Sequence, residues 1–163
     1  MKAKWYAPTV MCFYFLLLLS VVAAQGQKKS KYACDETQPE KLCTANNTCG
    51  SATAPCTIDV RKSGSSATVK PSVPDAKSNQ FFCLKVGTTV VWTSSRKNTG
   101  FTVAFGTDSP FTPDDPIMGG SAKPVTVKAE TPGCYKYDVG ASVSGAIYGM
   151  SGSTSKPELI ILP

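Results

Sequence analysis

The chain contains no histidine. Histidine is the only side chain whose unperturbed pKa lies near physiological pH, and its imidazole is the commonest metal-binding side chain in proteins. Its absence excludes Ser-His-Asp hydrolysis, Cys-His proteolysis and histidine-ligated zinc or copper. Any chemistry must therefore depend on thiols, carboxylates, lysines or hydroxyls.

Signals of other common function classes are also missing. No two cysteines have the CxxC spacing that is typical of zinc ribbons and thioredoxin-type redox sites, and there is no G-x-S-x-G nucleophile motif. The lysines and arginines form no stripe interleaved with aromatic residues, which nucleic-acid binding would require. The sequence therefore predicts a protein that is not an enzyme, has no cofactor and binds no nucleic acid.

The first 24 residues have the pattern of a signal peptide. Lys2 and Lys4 give a positive start, residues 10–19 are apolar, and residues 22–24 are small and precede a polar residue. The stretch from Trp5 to Ala24 is only marginally long for a membrane span and ends in a cleavage-like triplet, so we expect cleavage after Ala24. The released protein is predicted to be secreted or periplasmic, with no stable membrane span.

Cleavage would remove Cys12 and leave six cysteines, an even number that predicts disulfides in an exported protein. The four between residues 34 and 56 are expected to pair among themselves, in an order that the sequence leaves open: they are Cys34, Cys43, Cys49 and Cys56. Cys83 and Cys134 each lie in a strand-like stretch and are expected to pair with each other and staple two sheets. The predicted segments are a signal peptide (1–24), a flexible basic leader (25–33), a cysteine-rich extension (34–56) and a β domain (57–163).

The secondary-structure signals are of strand type. Short runs rich in Val, Thr, Ile, Phe and Tyr recur between clusters of Gly, Pro, Ser and Asp, and no window of a dozen residues has helical spacing. Alternation places Val90 and Trp92 on one core face, and the apolar run 159–162 predicts a strand buried on both sides. The candidate strands are 57–62, 67–70, 80–86, 88–93, 100–105, 124–129, 133–139, 146–148 and 158–162, and residues 64–66, 110–120 and 149–155 are predicted loops. This pattern predicts an all-β sandwich or barrel.

Four short motifs together resemble the cupredoxin family. They are V-G-T-T-V-V-W-T at 86–93, F-T-V at 101–103, P-G-C-Y-K-Y at 132–137 and L-I-I at 159–161. The resemblance covers most of the mature chain and implies a cupredoxin-like Greek-key β-sandwich, here carrying a small disulfide-rich N-terminal extension.

The copper ligands that the resemblance implies are not retained. The first copper histidine of the family would fall at Phe101, the thiolate at Val139 and the second histidine within residues 140–150. Met150 lies in about the right loop for the axial methionine, but a lone thioether is a weak ligand. We therefore expect the fold without bound metal. A copper-handling protein with Met or Cys ligands remains an alternative, with Met118 and Met150 as weak candidate ligands.

An acidic, proline-rich connection at residues 108–115 carries Asp108, Asp114 and Asp115. Paired carboxylates can perform acid–base hydrolysis or hold calcium, although adjacent aspartates more often form turns. A carboxylate-dependent hydrolase acting through Asp114 and Asp115, or a calcium-binding module, therefore remains a second alternative.

The resemblance also implies that apolar residues replace the copper pocket at one end of the sandwich. This end is either a filled hydrophobic plug or a candidate binding rim, and exposure of Phe101 distinguishes the two. The residues expected there are Phe101, Phe111, Val139, Ile147 and Tyr148. We predict an exported, metal-free, non-catalytic module with a binding or structural role in the cell envelope or extracellular space. Its partner is expected to be an unidentified protein or glycan.

Overall fold

A computed structural model of the chain describes residues 32–74, 81–113, 116–149 and 156–163. The predicted signal peptide, and the predicted leader as far as residue 31, lie outside these ranges. Two short 3-10 helices, Ala33–Asp35 and Pro39–Leu42, precede the strands. The strands are β1 (Cys56–Ser63), β2 (Ser66–Pro71), β3 (Phe82–Lys85), β4 (Thr89–Thr93), β5 (Thr99–Ala104), β6 (Phe111–Thr112), β7 (Ile117–Gly120), β8 (Val125–Ala129), β9 (Gly133–Lys136), β10 (Asp138–Val143), β11 (Ala146–Tyr148) and β12 (Glu158–Leu162).

The strands form three hydrogen-bonded sheets, in the orders β2-β1-β4-β8-β6, β11-β10-β5-β7 and β3-β12-β9. The pairs β1–β4 and β3–β12 are parallel, and the other pairs are antiparallel. The prediction of an all-β, sandwich-like fold is confirmed. No helix in the described ranges is long and apolar enough to span a membrane.

The core is built from alternate residues of the strands. Val90 and Trp92 on β4 are fully buried, as their spacing predicts. The Trp92 ring packs edge-on against Phe111, with 6.3 Å between centroids, and against Tyr137, with 6.1 Å between centroids. Such edge-to-face pairs add to the free energy gained from burying the rings. Strand β12 is buried on both sides, which confirms the interpretation of its continuous apolar run.

Two parts of the strand prediction are wrong. Residues 110–120 were predicted as a loop but contain β6 and β7, which sequence patterns miss because β6 has two residues and β7 ends in two glycines. The predicted strand 133–139 covers β9 and only the first two residues of β10, because the chain leaves one sheet at Tyr137 and enters another. Tyr137 is buried, and its N–H donates to the carbonyl of Pro157 rather than to a sheet partner, over 3.2 Å.

The predicted pairing of Cys83 with Cys134 is also wrong. The disulfides join Cys34 to Cys134, Cys43 to Cys83 and Cys49 to Cys56, so only the last bridge lies within the four crowded cysteines. The reason is geometric. Cys83 and Cys134 both lie opposite Ile160, on the two strands that flank β12. Strands two places apart are about 10 Å from each other, whereas a disulfide joins Cα atoms less than about 7 Å apart.

Residues 32–55 form a strap across the outer face of the β3-β12-β9 sheet. The strap adds a short parallel pairing to the edge of β3: the Cys83 N–H donates to the Asn47 carbonyl over 2.9 Å, and the Cys49 N–H donates to the Cys83 carbonyl over 2.8 Å. Its apolar residues pack into a second small cluster around Cys83 and Ile160. The strap is therefore packed against the sheet and bonded to it by two disulfides.

The carboxylate of Glu158 ties the start of the strap to β12. It is buried and accepts hydrogen bonds from the backbone N–H groups of Ala33 and Cys34, over 2.6 and 3.4 Å. The Lys136 ammonium lies 3.9 Å from it and also contacts Asp35. The hydrogen bond to Asp35 raises the pKa of Lys136 above its ordinary value. This network fixes the N-terminal end of the described chain on the sheet.

Candidate functional site

A groove of about 560 Å³ lies on the outer face of the β11-β10-β5-β7 sheet. Strand alternation determines which residues form it, because Phe101 and Val103 of β5 point into the core, so Gly100 and Thr102 face outward. Register places the outward residues in two rows across the strands. One row is Ile147, Ser142, Gly100 and Gly120, and the other is Gly140, Thr102 and Met118.

Each row has one large apolar residue at one end, Ile147 in the first and Met118 in the second, and small residues elsewhere. Glycine, serine and threonine supply the floor, so little side-chain bulk rises from the sheet between the two flanks. Ile147 on edge strand β11 is 70% exposed, and Met118 on edge strand β7 is 62% exposed. Within the described ranges the third exposed large hydrophobic residue is Val86, which does not line the groove.

Below the floor, the Phe101 ring packs directly on Gly119, its register partner on β7. A Cβ atom at position 119 would lie 2.7 Å from the Cζ atom of the ring, so β7 can cross the ring only because residue 119 is glycine. Phe101 is 3% exposed and belongs to the main core cluster. The sequence allowed two interpretations of the end of the sandwich at Phe101, a filled hydrophobic plug or an exposed binding rim. The buried ring agrees with the plug.

The expected aromatic rim is therefore not formed, and that prediction is corrected. Phe111 and Val139 are core residues, and Phe111 packs against Phe105 with 5.2 Å between ring centroids. Tyr148 is half-buried beneath the Lys62 ammonium, which lies 4.0 Å from its ring centroid. Of the five residues, only Ile147 is an exposed flank of the groove. The others point inward or pack elsewhere because of strand alternation and because Phe111 lies on β6 in a different sheet.

One end of the groove is polar and positively charged. Asn98, Ser121 and Lys123 line it where β5 begins and β7 ends. None of the residues that line the groove is an aspartate or glutamate. The lining of the groove thus combines apolar flanks, hydroxyl groups and a cation without a neighbouring lining carboxylate.

Sequence reasoning missed this groove, although a signal was present. Gly100 begins one predicted strand and Gly140 directly follows another, and glycine at a strand indicates a close approach of backbone or ligand. The pattern does not reveal that these glycines share a face with Gly120, because that depends on which strands pair.

No protein-family model matches the sequence, and no curated protein matches it.

The other candidate residues are not brought together with this groove. All six cysteines of the described chain are in disulfides, so none offers a thiolate ligand. Met118 is a flank of the groove, and Met150 lies outside the described residues, as do Asp114 and Asp115. Asp108 is exposed. In the described ranges, no three His, Cys, Asp or Glu side chains form a cluster that could hold a metal ion.

Two large core side chains, Tyr137 and Trp92, carry buried polar groups. The Tyr137 hydroxyl and the Trp92 indole N–H are buried and have no hydrogen-bond partner among the described residues. Burial raises the pKa of Tyr137 far above its ordinary value. Burial also raises the pKa of Tyr135, with a smaller contribution from the charge of Asp108, and its hydroxyl donates to the Thr131 carbonyl over 3.0 Å. Tyr137 and Trp92 lie in the aromatic core, Tyr135 packs against it with an exposed hydroxyl, and none of the three lines the groove.

Proposed function

We propose that this chain is an exported, metal-free and non-catalytic module of the cupredoxin-like Greek-key type, and that it binds a ligand in the groove on its β11-β10-β5-β7 sheet. Export is supported by the signal-peptide pattern of residues 1–24 and by three disulfides, since disulfides form and persist in oxidising compartments. The binding role would be exercised in the cell envelope or extracellular space.

The observation that carries the proposal is the uncovered pair of apolar flanks. Met118 and Ile147 stand in solvent on opposite edges of a sheet face whose centre is glycine, serine and threonine. Exposed apolar residues that border one concavity are typical of a binding site, whereas scattered ones need no explanation. Within the described ranges, the strap covers the outer face of the β3-β12-β9 sheet, whereas no described segment covers the groove face.

The volume of the groove is compatible with a small ligand. Small-molecule sites commonly have volumes of roughly 300 to 1,000 Å³, and the groove has about 560 Å³.

The metal-free part of the proposal has separate support. The chain has no histidine, Phe101 and Val139 are buried core residues where the family's ligands would lie, and the described cysteines are all in disulfides. Copper that remained bound after incubation with Cu(I) and desalting would contradict it.

Binding in the groove is tested with the neutral solvatochromic dye Nile red on the disulfide-bonded protein. We expect saturable fluorescence, reduced at least about tenfold in affinity in the Met118→Ser, Ile147→Ser double variant, because both apolar flanks are lost. The matched control is Val86→Ser, which removes an exposed hydrophobic residue outside the groove. Equal dye binding by the double variant and the wild type would overturn the proposal.

A further inference from the structure

We infer that the ligand of this groove is a single small amphiphile with an alkyl body and one anionic head group, of the alkyl carboxylate class. The inference rests on the proposed binding role and specifies the chemistry that the groove recognises. It commits to a dissolved molecule and not to a membrane surface, a peptide or a second copy of the chain.

The alkyl body is indicated by the flanks and the floor. Met118 and Ile147 present aliphatic side chains from opposite edges, and the floor between them lacks Cβ atoms at Gly100, Gly120 and Gly140. A narrow, flexible chain can lie on such a floor in contact with both flanks. The lining contains Phe101 as its aromatic residue, and that ring is turned into the core, so the described groove offers no ring for stacking a planar ligand.

The anionic head group is indicated by charge. Lys123 is the charged residue of the described lining, and it lies at the same end as the polar side chains of Asn98 and Ser121. The exposed residues Arg96 and Lys97 directly precede Asn98. No aspartate or glutamate lines the groove; Asp138, two residues before Gly140 on β10, lies opposite Ala104 at the other end of β5 and forms an ion pair with Lys156 over 2.7 Å. A carboxylate at this end would receive charge-assisted hydrogen bonds while its tail extends toward Met118.

The test is calorimetric titration of the disulfide-bonded protein with octanoate, decanoate and dodecanoate below their micelle concentrations. Affinity should rise about fourfold for each added methylene, the factor that follows from burial of one methylene group. An alkyltrimethylammonium ion with the same tail as decanoate should bind at least about tenfold more weakly than decanoate, and added salt should weaken carboxylate binding.

Three variants separate the groove from nonspecific adsorption. Thr102→Phe places a ring on the floor, so groove binding should fall, whereas binding to any exposed apolar patch should rise. Lys123→Gln should weaken carboxylate binding several-fold. Lys128→Gln is its matched control, because Lys128 is an exposed lysine on β8 that does not line the groove, and it should leave affinity unchanged.

The experiments distinguish failure of the proposal that the groove binds a ligand from failure of the proposal that this ligand is an anionic amphiphile. If Thr102→Phe abolishes binding but carboxylate and ammonium amphiphiles bind equally well, the anionic class is wrong while ligand binding in the groove stands. The commitment to a dissolved amphiphile is overturned if the protein binds phosphatidylserine vesicles, poly-glutamate or itself but no monomeric alkyl carboxylate. If no groove variant alters binding of Nile red or of any amphiphile, both proposals are wrong.

Discussion

The outer faces of two sheets differ: a segment of the chain covers one, and no described segment covers the centre of the other. On the β3-β12-β9 sheet, the strap buries Ile160, pairs with the edge of β3 and is held by the Cys34–Cys134 and Cys43–Cys83 disulfides. On the β11-β10-β5-β7 sheet, no described segment covers the centre, and the isoleucine at the flank is exposed.

The size and polarity of the side chains on each face agree with whether that face is covered. The covered face carries large apolar side chains whose exposure to water would be costly, and the strap removes them from water. The open face has mainly glycine, serine and threonine at its centre, which can stay in water at little cost, and confines its apolar surface to Met118 and Ile147. The strap therefore adds a second, smaller apolar cluster to the main core, whereas no described segment packs over the centre of the other face.

The largest expected effect comes from removing the Cys34–Cys134 disulfide, which closes the longest loop of the three bridges. Cys34→Ala with Cys134→Ala should lower the free energy of unfolding by about 4.7 kcal/mol, since the bridge closes a separation of 100 residues. Cys49→Ala with Cys56→Ala, at a separation of 7, should cost about 2.5 kcal/mol by the same loop-entropy argument. Denaturant unfolding measures both. Equal losses would show that loop closure does not govern the stability of the strap.

Two isoleucines compare the faces directly. Ile160→Ala, beneath the strap and 2% exposed, should lower the free energy of unfolding by about 3 kcal/mol, because it leaves a cavity. Ile147→Ala, 70% exposed beside the groove, should change it by less than about 0.5 kcal/mol. Both values come from denaturant unfolding. A large loss at Ile147 would mean that the groove face is part of the stabilising core.

Glu158→Gln tests the hydrogen bonds between the start of the strap and β12. The variant loses the charge that accepts hydrogen bonds from Ala33 and Cys34, and we expect a loss of about 2 kcal/mol in unfolding free energy. Asp138→Asn is the control, because its ion pair with Lys156 is exposed and should contribute less than about 1 kcal/mol. Similar small losses in both variants would show that the buried hydrogen bonds of Glu158 contribute no more to the free energy of unfolding than an exposed ion pair does.

The smallest effect, and one of opposite sign, is expected in the core between the sheets. Tyr137→Phe removes a buried hydroxyl that has no described partner, so unfolding free energy at neutral pH should rise by about 1 kcal/mol. Tyr137 keeps its proton in the folded protein but loses it in the unfolded chain above about pH 10. The unfolded state then binds fewer protons, so stability falls as pH rises, by about 1.4 kcal/mol per pH unit from this residue.

Denaturant unfolding between neutral and strongly alkaline pH measures this contribution. Tyr137→Phe should show a shallower alkaline loss of stability than the wild type. A destabilised variant with the wild-type pH slope would instead indicate that the hydroxyl is hydrogen-bonded in solution.

Strands with strong local signals were predictable. Residues 146–148 and 158–162 were predicted with the observed bounds of β11 and β12, and the buried face of Val90 and Trp92 follows from simple alternation. Strand β7 was missed because two of its four residues are glycine, whose β-propensity is low. It exists because Gly119 packs on Phe101 across the sheet, a contact that no local pattern contains.

By itself, the sequence determined the all-β class, the exclusion of histidine chemistry and the positions of most strands, because composition and alternation act through neighbouring residues. Only the tertiary structure decided the disulfide partners, the burial of Phe101 and the assembly of the groove. These depend on strand order: β12 separates Cys83 from Cys134, and β5 brings Gly100 beside Gly120 and Ser142. Residues distant in the chain become neighbours through pairing, and the pairing is set by how the whole core packs.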